Sequence, residues 1–137
     1  MEHNLLILGA SSDLAIALIP KIAADYQTIF AHYHQSKDTL EQLQQTVPCE
    51  LKLIQADFTD EKSTISLMDE IAACGQSVTH LLHCPSARVE TRRFKDLSWE
   101  AYEKMLYTQL RSLYYALHRI LPDMAKRKYI SHFLVDN

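Results

Sequence analysis

Glycine and proline are scarce in this sequence, which has two glycines and four prolines among 137 residues. A composition so poor in both excludes collagen-like and linker-rich chains. No apolar run approaches the roughly 20 residues that cross a bilayer, so no membrane partner is expected. No basic segment precedes a long apolar one, so no secretory signal is expected either. The net charge of −3 gives no electrostatic reason to expect nucleic acid.

Cysteine is also rare. Cys49, Cys74 and Cys84 have neither the spacing of a disulfide framework nor that of a zinc site. We therefore expect no metal and a reducing, cytoplasmic environment. Hydrophobic residues make up 47% of the chain, which is enough for a core. The length suits a single domain over residues 1–137.

Apolar runs of strand length alternate with helical patterns. The predicted strands are residues 4–9, 28–33, 50–56, 78–84 and 130–135. Strands separated by helices and short connections form parallel sheets through right-handed crossovers. Nearly all-apolar strands such as LLIL suit burial on both faces. The expected fold is α/β: a doubly wound, Rossmann-like sheet of about five strands in the order 3-2-1-4-5, with helices on both faces.

Three shorter helices are predicted from apolar spacing and end signals. The first covers residues 13–25, the second has Ser36 as its N-cap, and the third runs from the N-cap Asp60 to Gly75. The residues expected to face the core are Leu14, Ala17, Leu18, Ile22 and Ala23 on the first helix, Leu40 and Leu43 on the second, and Ile65, Met68, Ile71 and Ala72 on the third.

The longest helix is predicted over residues 98–126, with Ser98 as its N-cap. Its apolar stripe, spaced three and four residues apart, is Tyr102, Met105, Leu106, Gln109, Leu110, Leu113, Leu117, Ile120, Leu121 and Met124. A second set lies off that stripe: Tyr107, Arg111, Tyr114, Tyr115 and His118. Aromatic and arginine side chains are common at interfaces, so a homo-oligomer is expected through this helix or through the last strand, an unprotected edge. A solvated helix face is the alternative.

In such sheets, ligands bind beyond the carboxyl ends of the strands. At the first of these ends, Gly9 lets the chain leave its strand sharply and lets a ligand approach the backbone. Ser11 and Ser12 add hydroxyl donors, and the N-terminus of the following helix favours a phosphate. Asp13 is the awkward residue, because its carboxylate repels a pyrophosphate unless it turns away to cap the helix.

The motifs, in this order, resemble those of the short-chain dehydrogenase/reductase family along nearly the whole chain. GASSDLA stands where that family carries a Gly-x-x-x-Gly-x-Gly turn, and ADFTD where an Asp and an apolar residue follow the third strand. LLHCPSA takes the place of Asn-Asn-Ala-Gly after the fourth strand, and the long helix has a similar Leu-Pro-x-Met ending. No motif is intact, so the joint order and spacing carry the resemblance.

The resemblance implies a dinucleotide cofactor, NADP or NAD, and the residues that would bind it. Those expected at the pyrophosphate are Gly9, Ser11, Ser12, Asp13 and Leu14. His34, Gln35 and Ser36 would meet the ribose, Asp57 and Phe58 the adenine, and Ser86 would line the path of the nicotinamide ribose. The tip of the second strand lacks the acid that selects NAD, so NADP is slightly favoured. Asp38 is expected in the next helical turn.

Departures from the family pattern bear on catalysis. The family continues with a Ser after the fifth strand and with a Tyr and a Lys four residues apart, which together protonate the developing alkoxide. The sequence stops near the Ser position, and no Tyr–Lys pair lies at a suitable strand end. Gln109, in place of a helix Asn, is the one catalytic candidate, in a supporting role. We expect the NAD(P)-binding part of a C-terminally incomplete oxidoreductase, inactive alone, whose intact form converts a small carbonyl or alcohol.

Two other functions stay open: a non-catalytic nucleotide-binding or regulatory module, and a structural subunit completed by pairing its last strand and long helix with another chain. His32 and His34 share a strand face, but no carboxylate or Cys lies at ligand spacing, so ordinary strand-end histidines are expected. His83 is expected to be packed or hydrogen-bonded, and Cys84 to be a buried small hydrophobic residue.

Overall fold

The computed structural model describes residues 2–85 and 93–126 and the backbone of residues 132–135. Within them, five strands form one sheet: β1 (Asn4–Leu8), β2 (Thr28–Tyr33), β3 (Glu50–Gln55), β4 (His80–His83) and β5 (His132–Val135). All neighbouring strands are parallel, in the order β3-β2-β1-β4-β5. The predicted strand order is confirmed, with strand ends within two residues of their predicted positions.

In the described residues, five α-helices accompany the sheet: α1 (Asp13–Ile22), α2 (Asp38–Gln44), α3 (Glu61–Ala73), α4 (Trp99–Leu106) and α5 (Ser112–Lys126). Short 3₁₀ turns cover Ala23–Asp25 and Phe94–Asp96. In the described part of the chain, no helix combines the length and apolar character that a membrane crossing requires.

Two apolar layers cover the faces of the sheet. Successive strand residues point to opposite faces, so Leu6 packs toward one layer and Ile7 toward the other. Helices α3 and α5 cover the first face, and α1 and α2 cover the second. This arrangement leaves the carboxyl ends of the strands open between the layers.

Helix α1 presents a different face from the predicted one. Its fully buried residues are Ala15 and Ile19, whereas Leu14 is 47% exposed and Ala17 is also exposed. Of the predicted inward face, the residues that are half or fully buried are Leu18, Ile22 and Ala23. The small side chain of Ala15 lets the helix approach the sheet, and that contact sets the rotation of the helix.

Helix α3 keeps its predicted ends but not its whole predicted face. Asp60 caps it by accepting the Lys62 amide at 3.1 Å, and Gly75 follows its end with a φ of 73°. The buried residues are Thr64, Leu67, Met68 and Ile71. Ile65 and Ala72 were predicted inward and are exposed, because Leu67, Met68 and Ile71 form the face that packs on the core. The buried Thr64 hydroxyl donates to the Asp60 carbonyl at 3.0 Å.

The predicted N-cap of α2 is wrong. Helix α2 begins at Asp38 with Lys37 as its N-cap, and no side chain caps it. The chain uses residues 34–37 to turn away from the end of β2, so the helix begins later than Ser36 would place it. Asp38 lies in the first turn, as predicted, together with Glu41, and negative charge there is favourable.

The long helix is interrupted by a π-helical turn over Tyr107–Arg111, which joins α4 to α5. The predicted cap is confirmed, because Ser98 Oγ accepts the Ala101 amide at 3.1 Å. A π turn adds a residue, which rotates the rest of the helix by about 100° relative to a regular helix. The predicted stripe is therefore only partly correct. The buried residues of α5 are Ser112, Ala116, Ile120 and Met124, whereas Tyr102, Leu110 and Leu121 are exposed.

Candidate functional site

A groove with a volume of about 740 Å³ lies at the carboxyl ends of β1 to β4. Hereafter it is called the carboxyl-end groove. Its lining contains these predicted cofactor residues: Gly9, Ser11, Ser12, His34, Gln35, Asp57 and Phe58. It also contains residues that the sequence did not single out for it: His32, Ala56, Thr59, Cys84, Pro85, Lys104 and Thr108. Asp13, Leu14, Ser36 and Gln109 lie outside the lining, and Ser86 lies outside the described residues.

Gly9 begins the first turn (residues 9–14) and has a φ of 77°. A Cβ on this residue would lie 2.5 Å from the Pro85 nitrogen and 2.6 Å from the Cys84 carbonyl carbon. Backbone atoms cannot move aside as a flexible side chain can, so only glycine fits. The single glycine of GASSDLA therefore occupies the one position where the β1 and β4 ends pass too closely for a side chain.

Three amides of the first turn are already bonded inside the protein. The Gly9 amide donates to His32 Nδ1 at 3.0 Å, and the Ala10 amide donates to the His32 carbonyl at 2.8 Å. The Ser12 amide donates to the Gly9 carbonyl at 3.2 Å. These bonds fix the path of the turn.

The remaining amides of the turn, those of Ser11, Asp13 and Leu14, have no acceptor among the described residues. They lie where α1 begins, at the positive end of its dipole. Asp13 and Leu14 can therefore serve a ligand through their backbones, although their side chains do not line the groove.

Asp13 is not the cap of α1, as its predicted role required. Ser12 is the N-cap, and its Oγ accepts the Ala15 amide at 3.2 Å. Asp13 is the first helical residue, and its exposed side chain lies outside the groove lining. Ser12 takes the cap because its backbone is extended, with φ −65° and ψ 153°, as an N-cap position requires, and its hydroxyl hydrogen remains able to donate.

His32 joins the ends of three strands. Since Nδ1 accepts from Gly9, the ring proton lies on Nε2, which donates to the Ala56 carbonyl at 2.9 Å. The ring stacks on Phe58 with a centroid distance of 4.0 Å. Burial lowers the pKa of His32 to about 4, although the Ala56 bond opposes this. The alternation of His32 and His34 in the sequence was the only signal, and it did not predict this contact.

Asp57 lies at the end of β3 with its carboxylate at the groove. Its Oδ1 accepts from the Thr59 hydroxyl at 2.7 Å and from the Thr59 amide at 2.9 Å. The Thr59 hydroxyl bond is the main reason why the pKa of Asp57 lies below its usual value. Its Oδ2 lies 3.7 Å from His34 Nε2. The predicted adenine and ribose residues are thus neighbours.

Arg111 connects the π turn to the loop after β3. Its Nη2 donates to the carbonyls of Phe58 at 3.3 Å and Thr59 at 3.0 Å. Its guanidinium lies 4.0 Å from the centre of the Tyr107 ring, and Nη1 lies 3.7 Å from Glu61. The sequence placed Arg111 with the interface residues, whereas here it holds one wall of the groove.

His83 ends β4 and is 1% exposed. The Ser112 hydroxyl donates to the Thr108 carbonyl at 2.6 Å, so His83 Nε2 donates to Ser112 Oγ at 3.2 Å. Burial lowers the pKa of His83 to about 4. His83 is packed and hydrogen-bonded, as predicted, and Cys84 beside it is buried.

Gln109 lies within the π turn and is half-buried. Its side-chain amide makes no hydrogen bond within residues 2–85 and 93–126, and its neighbour Thr108 lines the groove instead. Tyr33 and Lys37 do have the spacing of four residues. However, they lie at the end of β2, away from β4 and β5, and Lys37 Nζ lies 3.6 Å from Glu41. No group of three or more potential metal ligands occurs among the described residues.

Comparison with known families identifies the fold. A family model described as enoyl-(acyl carrier protein) reductase matches residues 9–134. The chain belongs to the short-chain dehydrogenase/reductase family. The resemblance of its motifs to that family is thereby confirmed. Members of the family are oxidoreductases that generally bind NAD(P). A search among curated proteins finds no significant match.

Solved structures share the fold at low sequence identity. A short-chain dehydrogenase of Streptomyces avermitilis has a TM-score of 0.84 at 20% identity, covering 96% of this chain and 48% of its own. A short-chain type dehydrogenase/reductase of Mycobacterium ulcerans gives 0.79 at 15%, covering 96% and 50%. The serine dehydrogenase of Escherichia coli gives 0.76 at 18%, covering 95% and 59%. The chain thus spans about half the length of these proteins.

Proposed function

We propose that this chain forms the NADP(H)-binding part of a short-chain oxidoreductase whose intact form acts on a small carbonyl or alcohol. One observation carries the proposal: the carboxyl-end groove collects Gly9, His34 and Asp57 from three strand ends beside unbonded amides of the first turn. The pyrophosphate and the adenosine of a dinucleotide therefore each have candidate partners along one continuous groove.

The residues of the first turn fit a pyrophosphate. The amides of Ser11, Asp13 and Leu14 would donate to it, and the Ser11 and Ser12 hydroxyls would add further donors. Gly9 keeps the turn open, because a side chain there would collide with Pro85. The Asp13 carboxylate lies outside the groove lining, which removes the main objection to an anionic ligand.

The other end of the groove fits the adenosine. His34, Gln35 and Ser36 would meet the ribose, and Asp57 and Phe58 would meet the adenine. Ser86 would line the nicotinamide ribose path, in continuity with Pro85. NADP is favoured because the groove lining directly after β2 consists of His34 and Gln35, with no acid at the strand tip that selects NAD. The Asp57 carboxylate, at the end of β3, lies 3.7 Å from His34 Nε2.

Calorimetric titration of the 137-residue chain with NADPH and with NADH tests the binding proposal. We expect both to bind and NADPH to bind more tightly. His34→Asp places a second carboxylate at the ribose end. It should weaken the binding of NADPH by about tenfold, equivalent to about 1.4 kcal/mol, and weaken the binding of NADH less. His118→Asp, on the exposed side of α5, is the matched control. No binding of either dinucleotide at millimolar concentration would overturn the proposal.

A bound nicotinamide supplies or accepts the hydride in this family's chemistry. The residues of this chain would bind and orient it, and Gln109 would support the active site from the π turn. A carbonyl reductase assay on the 137-residue chain should show no turnover. Turnover would show that another group in the chain donates the proton.

A nucleotide-binding module without chemistry is the second candidate. It is favoured by the departures at the β4 end, where the buried His83 is bonded to Ser112 and the side-chain amide of Gln109 makes no hydrogen bond among the described residues. The coding sequence after Asn137 separates the two. A Ser followed by a Tyr and a Lys four residues apart supports the oxidoreductase.

We also propose that the chain pairs with a second copy through the long helix. Leu110 is 61% exposed, Tyr114 59% and Leu121 36%, and burying these side chains would remove apolar area from water. Light scattering should give the mass of a dimer or tetramer, and Tyr114→Lys should reduce the measured particle mass. If the mass of Tyr114→Lys is unchanged, pairing through the edge strand β5 is favoured over the helix.

A further inference from the structure

His32 makes contacts that no cofactor role yet explains. Its ring accepts the Gly9 amide through Nδ1 and donates to the Ala56 carbonyl through Nε2, at 3.0 and 2.9 Å. Its own carbonyl accepts the Ala10 amide at 2.8 Å. A single residue of β2 therefore holds two consecutive amides of the first turn and the end of β3.

We propose that His32 is a positioning residue for the dinucleotide, because its neutral ring fixes the first turn so that the free amides of Ser11, Asp13 and Leu14 meet the pyrophosphate. This inference rests on the proposed function and extends it. The Gly9 amide is taken by the ring, so it is not available to the ligand. The turn therefore binds phosphate through its later amides only.

The contacts require a neutral imidazole with its proton on Nε2. Gly9 needs an acceptor, and the Ala56 carbonyl needs a donor on the opposite side of the ring. A protonated ring would direct an N–H at the Gly9 amide and lose that bond. The ring is 4% exposed and stacked on Phe58, and burial keeps its pKa near 4. The other titratable groups that line the groove are His34, Asp57, Cys84 and Lys104.

Two substitutions separate the bonds of the ring. In His32→Asn, the amide oxygen takes the place of Nδ1 and can still accept from Gly9, but the side chain cannot reach Ala56. In His32→Gln, the amide nitrogen takes the place of Nε2 and can still donate to Ala56, but Gly9 loses its acceptor. Both variants lose the stack on Phe58, so their unfolding free energies should be similar.

Calorimetry with NADPH is the first measurement. His32→Asn should bind within about threefold of the wild-type chain, whereas His32→Gln should bind about tenfold more weakly, a difference of about 1.4 kcal/mol. Equal affinities of His32→Gln and the wild-type chain overturn the inference alone. Equal losses in both variants also overturn it, since they indicate a merely structural role. A wild-type chain that binds no dinucleotide overturns the proposed function together with it.

A second measurement needs no cofactor. Imidazole ¹⁵N chemical shifts of the free chain at neutral pH should show an unprotonated Nδ1 and a protonated Nε2 on His32. The Gly9 amide should exchange slowly with solvent in the wild-type chain and in His32→Asn, and faster in His32→Gln. The opposite tautomer, or equal exchange in all three chains, contradicts the inference even if the dinucleotide binds.

Discussion

Two buried histidines flank the end of β1, and they are held differently. His32 on β2 uses both ring nitrogens, one with Gly9 and one with Ala56. His83 on β4 donates through Nε2 to Ser112, and its Nδ1 has no partner among the described residues. On the β2–β3 side, both ring nitrogens of the buried histidine are therefore hydrogen-bonded, whereas on the β4 side the Nδ1 acceptor of His83 is unused.

The proposed roles of the two sides also differ. The β2–β3 side contains the predicted ribose and adenine residues, and both ring nitrogens of its buried histidine are bonded. The β4 side neighbours β5, after which the family carries its catalytic Ser. An unpaired buried acceptor costs about 1–3 kcal/mol, so His83 is the less favourably buried of the two histidines. Substitutions on the two sides should therefore differ in their effects on stability.

The largest effect is expected at Gly9, where the two sides meet. Gly9→Ala forces a Cβ to 2.5 Å from the Pro85 nitrogen and strains a φ of 77°, so we expect a loss of about 4 kcal/mol in unfolding free energy. Gly75→Ala is the matched control, because its φ is 73° and no atom lies within 4 Å of the added Cβ. It should cost about 1 kcal/mol. Equal urea midpoints for the two variants would contradict the close approach of the β1 and β4 ends.

The next effect is the pH dependence of stability. Both histidines have a pKa near 4 in the folded chain and an ordinary value near 6.5 when unfolded. Between these values the unfolded chain binds more protons, so stability is full above about pH 6.5 and falls as pH drops toward 4. Each histidine contributes a slope of up to about 1.4 kcal/mol per pH unit.

Urea midpoints at about pH 7, 6 and 5 measure this slope. His32→Asn and His83→Asn should each remove about half of it. The lowered pKa of Asp57 acts only below its ordinary value of 3.8, outside this range. If one variant keeps the pH slope of the wild-type chain, the histidine that it replaces is not buried as a neutral group. The comparison of the two histidines would then fail.

The sequence predicted the sheet well because strand order depends on a pattern repeated along the whole chain. Buried runs such as LLIL, alternating with helices, leave few topologies. It predicted half of the groove lining for the same reason, since Gly9, His34 and Asp57 each follow a strand. Helix rotation was less predictable: after the π turn at Tyr107–Arg111, Ser112 and Ala116 are buried although they were not predicted on the stripe, whereas Ile120 and Met124 are buried as predicted.

The contacts of His32 and Arg111 could not be predicted from sequence for a different reason. Each depends on backbone groups that it reaches only in the folded chain: His32 contacts Gly9 and Ala56, and Arg111 contacts the adjacent carbonyls of Phe58 and Thr59. Backbone acceptors leave no residue-type signal. An arginine on a helix is predicted as exposed, and a histidine in a strand as a packing residue.

Arg111 should show a moderate effect, because it ties the π turn to the β3 side of the groove. Arg111→Lys keeps the charge but loses the second guanidinium nitrogen near Glu61 and the planar contact with the Tyr107 ring, so we expect a loss of about 1–2 kcal/mol. Arg93→Lys is the control, since its side chain is 78% exposed beside Asp96, and it should change stability by less than about 0.5 kcal/mol. Hydrogen exchange at the Thr59 amide should rise only in Arg111→Lys. If the two variants match, Arg111 does not hold the groove wall.

The smallest effect is expected for another arginine further along the same helical segment: Arg119 in α5, whose Nη2 lies 2.8 Å from Asp69 Oδ1. This distance is shorter than either carbonyl contact of Arg111. However, the two side chains are 45% and 60% exposed, and exposed pairs contribute about 0.2–1 kcal/mol. A double-mutant cycle of Arg119→Ala and Asp69→Ala should give a coupling near the lower value that disappears in high salt. A coupling as large as the Arg111→Lys loss would mean that distance, rather than burial against backbone carbonyls, decides which arginine stabilises this fold.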